Sequence, residues 1–279
     1  MRKLLFTVLL LICAGQVSAQ TNNCPVSTAP WNCTQGAQNF VNGGGVTSVT
    51  AITGVSVPNG QAIIVGAATC WNNTCTSGTG SIAITDGTNT YTCPAGENIT
   101  GISRTYCYVC NSIGGPVSVT MTMTPAATAF FPSLIWNSFS NSNGAIPPSC
   151  LDQTSGATSI TGSGTSAAIQ TTSPTTRNND LIWSFIGGVN ASTNNSFQYL
   201  TQNASTSSST EIKNGATPGT YPTGWTFASG NWAGVELAFL GPGSSGVPRK
   251  HGTFIKFKPD HFRRLPWIIK RNELRIETT

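Results

Sequence analysis

The chain has 279 residues, of which 8% are charged and 9% aromatic, with Gly, Ser, Thr and Asn abundant. So few charges beside Trp and Phe spread along the whole length argue against a disordered chain. The net charge of +5 is unevenly placed. Residues 20–246 carry three basic and six acidic side chains (−3), and residues 247–279 carry nine and three (+6). The basic excess therefore does not make the body a nucleic-acid surface.

Residues 1–19 read as an export signal. Arg2 and Lys3 precede an apolar run from Leu4 to Ala14, and Val17-Ser18-Ala19 is a small-residue cleavage motif. Cys13 follows Ile12, where a lipoprotein signal places a small residue, so it is read as lost with the signal. The apolar run is too short to span a bilayer, and no later segment is long and apolar enough. A mature domain is expected over 20–241, with a Cys-rich N-terminal part at 20–45, followed by a linker and basic tail at 242–279.

Strand signals then recur between turn signals. "QAIIVGAAT" (61–69) is a continuous apolar run and predicts a central buried strand. "GSIAIT", "DGTN" and "TYTC" predict a hairpin turning at Asp86-Gly87. "RTYCYVC" alternates like a strand and precedes the hairpin signal "NSIGGP". "VSVTMTMT" (117–124) places Val117, Val119, Met121 and Met123 on one face and Ser118, Thr120, Thr122 and Thr124 on the other, as in a strand lying on a core. "FFPSLIWNSF", "DLIWSFIGG" and "WAGVELAFL" supply further strands. In the last, Ala233, Val235, Leu237 and Phe239 point one way and Glu236 is expected to face solvent. No helical period is sustained, so the fold class is all-β, an antiparallel sandwich.

The series "VSVPNGQAIIVGAAT", "SIAITDGTNTYT", "GGPVSVTMTM", "LDQTSGATSITGSGTSAAIQTTSPTTRNNDLIWSFIGG" and "NWAGVELAFLG" resembles a group of secreted bacterial jelly-roll β-sandwich domains over roughly 46–241. The resemblance implies a jelly-roll-like topology, placement at the bacterial cell surface or outside the cell, and no assigned catalytic residues. The cysteines are an addition to that pattern.

Eight cysteines follow the signal: Cys24, Cys33, Cys70, Cys75, Cys93, Cys107, Cys110 and Cys150. An even number in an exported chain reads as disulfides. Residues three apart in a strand face opposite ways, so Cys107 and Cys110 should neither bond each other nor share an ion. A zinc site from Cys70, Cys75, Cys107 and Cys110 has tolerable spacing but suits an oxidising compartment less well than disulfides. Short spacing singles out Cys24–Cys33 and Cys70–Cys75 as local bridges, leaving Cys93, Cys107, Cys110 and Cys150 to form the other two.

The only histidines, His251 and His261, lie in the tail, so the body has no Ser-His-Asp or Cys-His system and no His-based metal site. Its carboxylates are scattered. Asp86 reads as a turn residue, Asp180 as the start of a strand, and no compact acidic motif occurs. No cofactor or metal is expected, and a glycan-active hydrolase or lyase with a carboxylate pair is the rival to a non-catalytic module.

Binding is the better class. Trp31, Trp136, Trp183, Trp225 and Trp232 read as core, whereas Trp71 lies in the polar loop "CWNNTC". A Cys70–Cys75 bridge would make that loop rigid, and Trp71, Asn72 and Asn73 become the candidate contacts for a glycan or another surface protein. The alternative is that Trp71 folds back over the sheet edge. Sequons at Asn32, Asn72, Asn98, Asn190, Asn194 and Asn203 matter only in a eukaryotic secretory pathway. The tail "TFIKFKPDHFRRLPWIIKRNELRIETT", after the hinge "GPGSSGVPRKHG", reads as an attachment to an acidic surface, a loose tail, or a coding artefact. The expectation is a secreted structural or surface-binding module.

Overall fold

The computed structural model describes residues 20–21, 29–94, 97–99, 101–154, 161–189, 191–193, 197–202 and 208–241. The export signal, Cys24, the sequons at Asn190, Asn194 and Asn203, the linker and the basic tail fall outside these residues. In chain order the strands are β1 (Gln20–Thr21), β2 (Trp31–Phe40), β3 (Ser48–Val57), β4 (Ala62–Cys70), β5 (Ser81–Thr85), β6 (Glu97–Ile99), β7 (Ile102–Val109) and β8 (Gly115–Thr124). They continue with β9 (Phe130–Asn141), β10 (Leu151–Thr154), β11 (Thr161–Ala167), β12 (Asp180–Gly187), β13 (Ala191–Thr193), β14 (Gln198–Gln202), β15 (Ser208–Ala216) and β16 (Trp225–Phe239). Among the described residues, helix is confined to one short turn at Ala126–Thr128.

The first half is a rolled hairpin. β2 pairs with β9, β3 with β8 and β4 with β7, all antiparallel. Pairs β4·β9 and β5·β8 close the roll. The chain thus alternates between a six-stranded sheet (β1-β2-β9-β4-β7-β6) and a three-stranded sheet (β3-β8-β5), the wrapping of a jelly roll. The second half forms a third sheet, β10-β16-β12-β15-β14, with β11 and β13 also on β16.

The six-stranded sheet is the shared middle layer. On β4, Ile63, Val65 and Ala67 pack with Val119 and Met121 of the three-stranded sheet. Ala62, Ile64 and Ala68 pack with Trp183, Phe185 and Leu237 of the seven-stranded sheet. Burial on both faces is why β4 is apolar without alternation. Glycines bring the layers close. A Cβ on Gly66 would stand 2.5 Å from the Phe185 ring, and one on Gly187 would stand 2.4 Å from Cβ of Ala68. β8 alternates as expected, with Val117, Val119, Met121 and Met123 buried.

Disulfides join Cys70 to Cys75, Cys93 to Cys107 and Cys110 to Cys150, and Cys33 is also disulfide-bonded. Cys107 belongs to the core shared with the three-stranded sheet and Cys110 to the opposite core, so the two do not meet. With these thiols bridged, Cys70, Cys75, Cys107 and Cys110 do not form a zinc site.

Two expected hairpins are corrected. The Asp86 turn is real: Oδ1 accepts N–H bonds from Thr88 and Asn89, Oδ2 accepts the Tyr91 hydroxyl, and Gly87 has φ +75°. Its arms diverge, however. β5 pairs with β8, whereas Thr92 bridges to Tyr108 of β7. Asp-Gly chemistry fixes the reversal and leaves the partner open, and the Cys93–Cys107 bridge holds the second arm on the other sheet. The "NSIGGP" segment likewise connects β7 and β8 across two sheets.

Candidate functional site

Three facing polar groups of the third sheet are sealed. Ser184 of β12 stands opposite Glu211 of β15 and Glu236 of β16, and all three are fully buried. Glu236 was expected to face solvent. Instead, the Thr171 N–H donates to its Oε1 at 3.0 Å, and the Trp225 indole N–H donates to Ser184 Oγ at 3.3 Å. The reason is a cover: Ile169, Trp225 and Ile186 form a further core on that outer face. Burial pushes the Glu236 carboxyl well above its ordinary range; the Thr171 amide pulls it back, and the neighbouring Glu211 raises it further. Asp180, at the start of β12, is raised to about 6, chiefly by burial, against an N–H bond from Gly241 at 2.8 Å.

The loop singled out by sequence behaves differently from the expectation. Trp71 is only 2% exposed, and its ring folds inward over Gly80. Its indole N–H donates to Ser103 Oγ, and the ring joins the core with Val49 and Met123. Trp71 is therefore a core residue, because a buried acceptor, Ser103 Oγ, satisfies its one polar atom. Asn72 serves the loop itself. Its Oδ1 accepts the Thr76 N–H at 3.0 Å and its amide donates to Ser77 Oγ. Asn73 remains exposed at the tip.

The far end of this loop reaches a site that the sequence did not mark. Asn231 Nδ2 donates to the Cys75 carbonyl at 3.3 Å, tying the loop to β16. Between them lies a cleft of about 300 Å³. Its floor is Ile102 and Trp232, both buried, and its rim is Thr76, Thr161, Ser163 and Asn231. Gly162 of β11 completes the lining. A Cβ there would stand 2.9–3.2 Å from the Trp232 indole, so glycine keeps the indole edge open. Phe227 holds that ring edge-to-face at 6.5 Å. The Trp232 Nε1 is buried with no acceptor among the described residues.

No Asp, Glu, His, Lys, Arg or Cys lines this cleft. It can hydrogen-bond and offer apolar contact, but it holds no group that exchanges a proton near neutrality. Nor do three His, Cys, Asp or Glu side chains converge anywhere among the described residues. No described helix is long and apolar enough to cross a membrane. No family model, curated protein or solved structure matches the chain.

Proposed function

We propose that the chain is an exported, non-catalytic surface-binding module that takes a neutral glycan in the Trp232 cleft. One observation carries the reading: an apolar floor of indole and isoleucine inside a rim of hydroxyls and one amide, with no ionisable group. A sugar ring has the matching chemistry, an apolar C–H face edged by hydroxyls. The volume lies at the small end for ligand clefts and suits one or two sugar units. Disulfides and the N-terminal signal pattern support export. The rival, a glycan-active enzyme, needs carboxylates beside its substrate, and none lines the Trp232 cleft; Glu211, Glu236 and Asp180 are buried, and the half-buried Asp152 accepts bonds from Thr176. The basic tail adds a contact with an acidic surface to the proposal.

The test is retention of the mature protein on insoluble glucans, chitin and mannan, with Ser163→Trp filling the cleft from its exposed rim. Retention by the wild type and its loss in the variant is the expected result. Equal retention by both, or hydrolysis of a glycan, overturns the reading.

A further inference from the structure

We infer that the module is bivalent: a second cleft, at the opposite end of β7, takes the same class of neutral glycan, so one molecule grips a polysaccharide at two points. This rests on the reading of the first cleft.

The second cleft measures about 310 Å³. Its floor is formed by Val109 and the Cys110–Cys150 bridge, and its rim by exposed Thr90, Thr92, Asn111 and Ser149. The half-buried Tyr108 ring stands beside them, held edge-on to Phe239 at 5.6 Å. Burial raises the Tyr108 hydroxyl's pKa, and the nearby Tyr106 adds to this while a Thr92 hydrogen bond opposes it. The hydroxyl is thus a neutral group at any physiological pH. No Asp, Glu, His, Lys or Arg lines this cleft either. Aromatic ring, hydroxyls and one carboxamide recur in it, in nearly the same volume.

The placement of the disulfides joins the two. Cys93–Cys107 and the paired Thr92 and Tyr108 backbone bonds (2.9 and 3.0 Å) fix one wall of the second cleft. Cys110–Cys150 fixes the other, and Cys70–Cys75 closes the loop that supplies Thr76 to the first. Cys110–Cys150 thus lines the second cleft, and the other two bridges stand next in sequence to lining residues, Cys93 to Thr92 and Cys75 to Thr76, which pre-organises the walls and lowers the ordering cost of binding. Ile102 in the first cleft and Val109 in the second stand at the two ends of one strand, about 23 Å apart at roughly 3.3 Å per residue. Ile102 packs toward the seven-stranded sheet and Val109 toward the three-stranded sheet, so a polysaccharide joining the clefts runs over the sheet edge, and two sites on one rigid body engaged together in this way gain avidity on the order of 10²–10⁴.

The experiment is a titration of the mature protein with trisaccharides of glucose, N-acetylglucosamine and mannose, too short to bridge the clefts, followed by NMR and calorimetry. Ser149→Trp fills the second cleft and Ser163→Trp the first; Thr92→Ala with Asn111→Ala is the milder alternative should Ser149→Trp melt early. Two sites in the wild type, one in each variant, and at least ten-fold weaker retention of Ser149→Trp on the polymer are expected. A single wild-type site removed by Ser163→Trp overturns bivalence and leaves the first cleft standing. A single site removed by Ser149→Trp, or no site, overturns both.

Discussion

Replacing Gly66 by alanine tests the stacking of the third sheet on the jelly roll. The new Cβ would stand 2.5 and 2.6 Å from Cδ2 and Cγ of Phe185 and 2.9 Å from Cη2 of Trp183. Cγ lies at the root of the ring, so a small rotation of Phe185 does not clear it. Phe185 is itself fully buried and stacked on Trp183 at 6.2 Å with planes 5° apart. Restoring ordinary contact at 3.4 Å requires the two layers to part by about 0.9 Å. Forcing a methyl into such packing costs about 1–3 kcal/mol, and the immobile ring places this case near the top. At roughly 2–4 °C per kcal/mol for a body of this size, the melting temperature should fall by about 6–10 °C. Urea melts of Gly66→Ala, Phe185→Leu and the double variant supply the assay. The double variant should be more stable than the sum of the single losses implies, because the leucine vacates the space the methyl needs. A neutral Gly66→Ala, or strict additivity, would refute the close contact of β4 with β12.

Met121→Asp places a charge in the core between the jelly-roll sheets and should cost about 4 kcal/mol or more, whereas the exposed Thr122→Asp should stay within about 0.5 kcal/mol; equal melting temperatures would mean the face of β8 is assigned wrongly. The carboxyls of Glu236 and Asp180 keep their protons to higher pH in the folded chain than in the unfolded one, so their contribution is full below the ordinary carboxylate range and is lost as pH rises, for Asp180 from about 4 to about 6. Glu236→Gln, which mimics the protonated acid, should flatten the fall in stability with rising pH, and an unchanged pH profile in chemical denaturation would contradict this. Peptide mapping of the non-reduced mature protein should recover Cys70–Cys75, Cys93–Cys107 and Cys110–Cys150, and thiol titration should find no free cysteine; reactive thiols or stoichiometric zinc would contradict it. The +6 tail should bind anionic vesicles in a salt-sensitive way, at about 1 kcal/mol per basic side chain near the surface, and a chain ending at Gly241 should lose that binding; retention by the shortened chain would place the contact elsewhere.

Much of the fold was legible because burial writes a simple pattern into strands. β8 alternates since one face meets a core, and β4 does not alternate since both faces do. The opposed directions of Cys107 and Cys110 followed from strand geometry alone. The third layer was harder to see. Glu236 sits in an alternating strand, and alternation distinguishes two faces without saying what covers the second. The signal that could have found its burial lies on β12, where Ile182 and Ile186 flank Ser184 on the same face as Glu236, so that face is not a solvent face. The Asp86 turn is legible in the sequence and the partners of its arms are not, because turn chemistry is local and strand pairing is not. Trp71 looked exposed because its loop is polar; Ser103, far along the chain, makes burial acceptable. The cleft was illegible for the same reason. It joins Thr76, Gly162 and Trp232 through tertiary contacts, and a glycine that leaves room for an indole carries no mark in the sequence.

The measurement that bears most directly on the glycan reading is the affinity of the mature protein for the neutral polysaccharide that retains it, taken at low and at high salt. An uncharged cleft predicts nearly the same affinity in both, with the Ser163→Trp variant weaker in both. Affinity that collapses at high salt while Ser163→Trp binds like the wild type would contradict it.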